Sequence, residues 1–167
     1  MAEKKYLYSP WRLDYILSAK SNECIFCFKP KAGDDAKHLI VHRSGHCYVI
    51  MNLFPYNNGH IMVVPYKHVS SLSAIGKAAY NDLFATVRLA EKVLNEVYKC
   101  EGMNIGLNLG KAAGAGVDEH LHVHLVPRWT GDSNFMSVIG GERVIPEAFD
   151  TAYKKLRAAF KKISAEQ

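Results

Sequence analysis

No apolar run in this 167-residue chain approaches the length that crosses a bilayer, although 49% of its residues are apolar. A membrane-spanning helix is therefore excluded as its building principle, and no membrane partner is expected. The opening Met1-Ala-Glu-Lys-Lys5 has a little charge but no apolar stretch behind it, unlike a secretory signal peptide, so a cytoplasmic location is expected. Cysteines number only four, two of them in a metal-type spacing, which agrees with a reducing compartment where structural disulfides are disfavoured. Internal repeats, low-complexity segments and breaks in composition are also missing, which predicts one domain over residues 1–167 with a sizeable core. The net charge of +5 has no continuous basic patch behind it: its late cluster, Lys154, Lys155, Arg157, Lys161 and Lys162, reads as the solvated face of a terminal helix. A nucleic-acid polymer is not expected as a partner.

What is present is concentrated in His120-Leu-His122-Val-His124-Leu-Val126. Three histidines alternate with apolar residues at the period of a strand, so the imidazoles share one face while Leu121, Val123 and Leu125 pack behind them. Imidazole is the side chain that near neutrality can attack, move a proton or bind a metal. Phosphate chemistry, a metal site and a purely structural role all fit this row. No acidic residue lies within the alternation, though Asp118 and Glu119 precede it. Just upstream, Gly110-Lys-Ala-Ala-Gly114-Ala-Gly116 is a small-residue loop whose amides can approach an anion closely, which suggests a phosphate cradle beside the imidazoles.

A second pattern is Cys24-Ile-Phe-Cys27. By itself a CxxC supports a redox dithiol, half of a zinc site, or two thiols packed as small hydrophobes. The flanks Asn22-Glu23 and Phe28-Lys-Pro30 do not offer the strand-to-helix setting of a redox motif. Cys47 and Cys100 match no ligand spacing and are expected to pack.

Five segments read as strands: 38–42, 47–51, 60–64, 103–108 and 119–126, with Arg43-Ser-Gly-His46 as a hairpin turn. Residues 73–98 carry apolar side chains at helical spacing, with Gly102 as a candidate end signal. Pro146 is placed to open a C-terminal helix, taken over 146–164 with its apolar pattern running to Phe160. The expected fold class is α+β, an antiparallel sheet with helices on one face. Tyr6, Tyr8, Trp11 and Tyr15 form an aromatic-rich leader within residues 1–20 that is expected to pack on a partner subunit or on the domain's own core.

With these residues in view, the chain resembles the histidine-triad (HIT) superfamily, whose signature His-φ-His-φ-His-φ-φ is met at every position from His120 to Val126. Cys47-Tyr-Val-Ile-Met-Asn52 and Gly59-His60-Ile-Met-Val-Val-Pro65 resemble the family's upstream strand pair. Pro127-Arg-Trp129, Gly131-Asp-Ser-Asn-Phe135 and the leader Ser9-Pro-Trp-Arg-Leu-Asp-Tyr15 are similar to its diadenosine-polyphosphate phosphorylase and hydrolase subgroup. The resemblance implies a HIT-like five-stranded antiparallel sheet with a long helix and a C-terminal helix, in a homodimer. It implies cleavage of dinucleoside polyphosphates such as diadenosine tetraphosphate through a nucleotidyl-histidine, with His122 as nucleophile and His124 contacting phosphate. The net positive charge would then help to capture polyanionic nucleotides. Asn52 is implied as a ribose contact and His60 as a neighbour of the base and sugar. Metal-bearing members pair such a CxxC with two histidines, here His68 and His120, so Cys24, Cys27, His68 and His120 are implied as a closed structural Zn2+ site.

One departure stands out. Where several members carry Gln, Ser or Thr before the triad, this chain has Ala115-Gly116, so the amides of Gly114, Ala115 and Gly116 are expected to hold phosphate, with Asn108 as a substitute polar contact. The stretch from Gly114 to His120 is also one residue longer than in the fragile-histidine-triad branch. A nucleoside phosphoramidate hydrolase and a non-catalytic nucleotide-binding module are the alternative readings.

Overall fold

A computed structural model describes residues 24–133 and 145–166. The aromatic leader, together with Asn134 and Phe135, lies outside the described residues. Within them five antiparallel strands, β1 (Ile40–Arg43), β2 (Cys47–Met51), β3 (Ile61–Pro65), β4 (Gly102–Gly106) and β5 (Val123–Arg128), form one sheet in the order β1-β2-β3-β5-β4. Three α-helices accompany them: a single turn α1 (Ile25–Phe28), the long α2 (Lys77–Tyr98) and the C-terminal α3 (Phe149–Ser164).

The two sheet faces have different coverings because alternate strand residues point opposite ways. On one face Val49, Val63, Val123 and Leu125 meet Leu83, Val87, Ala90 and Leu94 of α2 and Leu156, Phe160 and Ile163 of α3 in a single apolar cluster. The spacing of those helical residues by three, four and seven is what buries one stripe of each helix. Truncating one of them, such as Leu94→Ala, is expected to cost about 2–5 kcal/mol. The other face carries a smaller cluster of Phe26, Ile40, Tyr48, Ile50, Met62 and Val64. That thin covering leaves room for a site.

Several boundaries differ from expectation for physical reasons. α2 begins at Lys77, after a 3-10 turn at Leu72–Ala74, and ends through Lys99, whose left-handed backbone (φ 47°) returns its N–H to Asn95 O; Gly102 instead starts β4. α3 starts at Phe149, which packs on the core, and not at Pro146; Glu147 is drawn to Lys155 at 2.6 Å. β5 begins only at Val123, so His120 and His122 lie on the segment leading into the strand. There Leu121 N–H bonds to Val69 O, and Pro65, which has no N–H, spends its carbonyl on the His120 ring.

Candidate active site and metal centre

Two groups of side chains meet on the thinly covered face. The first gathers Cys24 and Cys27 from the start of α1, His68 from the loop after β3, and His120, with one ligand atom of each lying within 4.8 Å of all the others. His120 Nδ1 stands 3.4 Å from Cys24 Sγ, 3.6 Å from Cys27 Sγ and 3.2 Å from His68 Nδ1, and Cys27 Sγ is 3.4 Å from His68 Nδ1. Bond lengths of about 2.0–2.1 Å to nitrogen and 2.3 Å to sulfur around a tetrahedral zinc require ligand separations of roughly 3.3–3.8 Å, so these nitrogen–nitrogen and nitrogen–sulfur spacings fit that ion. The outer contact fits as well. His120 Nε2–H donates to Pro65 O at 2.9 Å, which leaves Nδ1 with its lone pair toward the cluster.

The second group runs from His122 through His124 to His60. His122 is 5% exposed, and its Nδ1–H donates to the His120 carbonyl at 2.8 Å, so the free lone pair sits on Nε2. Burial lowers its pKa, outweighing the opposing pull of that carbonyl, and the ring is neutral at pH 7. The proton on His124 is fixed by a relay. Tyr56 N–H donates to His60 Nδ1 at 3.0 Å, so His60 carries its proton on Nε2 and gives it to His124 Nδ1 at 2.9 Å. His124 is thereby left with an Nε2–H donor. Burial, with the neighbouring imidazoles, pushes His124 down to about 4 and His60 down to about 3.

The backbone that places His60 is itself constrained. Gly59 has φ +73°, and a Cβ there would lie 2.6 Å from Tyr98 Cε2, so the Gly-His pair is a packing requirement. Asn57, in the same turn, donates to Asp132 Oδ2 at 2.7 Å and to Pro127 O at 3.1 Å, while Arg128 grips both oxygens of Asp132. The turn carrying Tyr56 is thus tied to the end of β5.

A cavity of about 190 Å³ opens over this group, lined by His122 and His124, by Asn52, Leu53, Phe54 and Tyr56, by Ile25, Phe26 and Lys29 of the α1 segment, by Ile50, Met51 and Met62, and by Gly116 and Val117. Of the expected binding residues, Asn52, Gly116 and His124 reach it. His60 stands behind His124, and Asn108, Gly114 and Ala115 are not among the lining residues. Asn52 also closes β2, its Oδ1 accepting from Phe54 N–H at 3.0 Å and its Nδ2 lying 3.2 Å from His60 Nδ1. Trp129 lies away from the cavity and packs edge-on against Tyr98. Sequence reasoning missed Tyr56, Phe26 and Lys29. The aromatic residue inside the CxxC was the available signal: Phe26 packs on His120 and His122 with ring centroids 5.5 and 5.1 Å apart.

Residues 34–131 match the family model of the HIT domain. The chain belongs to the HIT family. It is 41% identical over 150 residues to a Mycobacterium tuberculosis protein named AP-4-A phosphorylase, a match covering 84% of this chain and 76% of that one. An asymmetrical bis(5'-nucleosyl)-tetraphosphatase of Schizosaccharomyces pombe is 37% identical over 82 residues, 49% of this chain and 44% of its own. Among solved structures, a Zn-bound histidine triad family protein from Mycobacterium smegmatis superposes with TM-score 0.69 at 25% identity, covering 87% of this chain and 98% of that one.

Proposed function

We propose that this HIT protein cleaves dinucleoside polyphosphates, diadenosine tetraphosphate among them, by nucleotidyl transfer through His122. The observation that carries the reading is the state of His122: neutral, anchored by Nδ1–H to the His120 carbonyl, with its Nε2 lone pair free beside a cavity lined by His124 and Asn52. The 41% identity to AP-4-A phosphorylase supports the substrate class.

In the proposed reaction His122 Nε2 attacks the α-phosphorus, a P–N bond forms, and the P–O bond to the remaining nucleoside polyphosphate breaks. The His124 Nε2–H donor, held by His60, meets a phosphate oxygen as charge builds there. An acceptor then attacks the same phosphorus and breaks the P–N bond, restoring His122. Inorganic phosphate as acceptor yields ADP and ATP from diadenosine tetraphosphate; water yields AMP and ATP. The Gly116 amide is assigned to phosphate and Asn52 to ribose. Gly114, Ala115 and Asn108, outside the lining, receive no contact in this scheme.

The reading includes Zn2+ held by Cys24, Cys27, His68 and His120 as a structural ion, since four protein ligands close its coordination and leave no position for substrate. It also includes a cytoplasmic homodimer. Support for pairing comes from β4, which among the described residues has no neighbour on its outer side and exposes Ile105 at 45%. Separately, no described helix is long and apolar enough to cross a membrane.

The deciding experiment supplies diadenosine tetraphosphate with and without phosphate and resolves the products. ADP plus ATP or AMP plus ATP supports the proposal and selects the acceptor. Turnover of adenosine phosphoramidate with neither product pair overturns it in favour of phosphoramidate hydrolysis.

A further inference from the structure

The α1 turn and the 3-10 turn after it, Lys29–Lys31, lead from beside His120 and His122 toward Arg43 of β1. At the start Cys24 Sγ lies 3.4 Å from His120 Nδ1, and Phe26 packs on His122. In the 3-10 turn Pro30 O accepts from Arg43 Nη2, on β1, at 2.9 Å. The strand order β1-β2-β3-β5 puts three strand spacings, about 14 Å, between β1 and β5. Lys29, next to Pro30, lines the cavity from the turn that reaches toward Arg43 of β1, one helical turn beyond Phe26.

Electrostatics agree with that placement. The charge of Lys29 helps to hold down the pKa of His38, just before β1. The cavity wall is apolar at Ile25, Phe26, Ile50, Leu53 and Val117. An apolar wall beside the phosphate-reactive histidines suits a nucleobase, and among the described residues Lys29 is the one Lys, Arg, Asp or Glu in the lining. Among the described residues no carboxylate forms an ion pair with it. A cation in this position calls for an acceptor on the ligand.

We propose that Lys29 is a specificity-determining residue that reads the acceptor edge of the bound base and favours guanine over adenine. The inference rests on the nucleotide reading above. An ammonium group has three donors and no acceptor; guanine offers O6 and N7 side by side, whereas adenine sets the N6 amino donor beside N7. The apolar stem of the lysine lies along that wall while its charged end meets the base.

The test is binding of GMP and AMP to the full protein, measured by calorimetry for the parent, Lys29→Met and Lys29→Arg. Methionine keeps the apolar stem without the donors, and arginine keeps donors. The parent is expected to bind GMP about tenfold more tightly than AMP. In Lys29→Met that ratio falls to about one, and in Lys29→Arg a guanine preference persists. The ratio of kcat/KM for diguanosine over diadenosine tetraphosphate should fall in parallel. If Lys29→Met weakens both nucleotides equally, leaving the ratio unchanged, Lys29 senses general negative charge and this inference is overturned alone. Binding of neither nucleotide by the parent overturns the nucleotide reading and this inference together.

Discussion

His120 and His124 flank His122 symmetrically in sequence, yet the regions around them are completed in opposite ways. Around His120, four donor atoms converge with ring nitrogens only 3.2 Å apart, an arrangement that the proposed Zn2+ would complete. Around His124 the protein supplies the orienting hydrogen bonds itself: Tyr56 N–H fixes His60, and His60 fixes His124. One region should therefore respond to metal and the other to hydrogen-bond chemistry. His122 joins them, because the carbonyl that orients it belongs to His120.

The largest effect should come from the residue between the two regions. His122→Ala is expected to lower kcat/KM by roughly 10⁴-fold or more with thermal stability nearly unchanged, as steady-state assays and calorimetry would record. Full activity in that variant would remove the proposed nucleophile. On the metal side, Cys27→Ala should lose bound zinc, measured by elemental analysis, and lower Tm by roughly 10 °C. Chelation should act the same way, through stability before chemistry. Activity that vanished on chelation while the fold stayed intact would place the ion in catalysis and erase the contrast.

On the relay side, His60→Phe should lower kcat on the order of 10²-fold while zinc content stays full, since His124 loses the donor that sets its proton. A variant that lost zinc instead would show that the two regions are not separable. Acid supplies a milder test. His60 and His124 are depressed in the folded state to about 3 and about 4 from 6.5, so the unfolded chain binds protons first. Their contribution to stability is complete above pH 6.5 and is lost progressively as the pH falls toward those folded values. Denaturant midpoints measured between pH 7 and 4 should decline over that window, and His60→Phe should flatten the decline. The lowered pKa of His122 likewise predicts that the acid limb of kcat/KM lies below pH 6.5.

The sequence made the strand row and the four metal-type ligands visible because both are patterns of spacing: alternation in one case, CxxC plus two histidines in the other. The sheet and both long helices were legible for the same reason, through apolar periods of two and of 3.6. Boundaries were not, where a tertiary contact overrode a local signal. Lys99 ends α2 in a left-handed turn that glycine would adopt more readily, and the docking of Phe149 sets the start of α3 past Pro146. The partnership of His60 with His124 joins residues 64 apart across β3 and β5, and no local pattern announces it. The Asn57–Asp132 tie joins residues 75 apart. The glycine-rich loop looked like a cradle, yet of the three residues named from it only Gly116 reaches the cavity. His42 on β1 stacks on Phe160 with ring centroids 5.1 Å apart.

The division of labour along the row can be read directly by trapping the covalent intermediate. The protein is mixed with diadenosine tetraphosphate, quenched under alkaline conditions that spare phosphoramidates, digested and sequenced by mass spectrometry. The expected result is one adenylyl group on His122 and none on His120 or His124. An adduct on either neighbour, or turnover with no adduct on His122, would contradict the account.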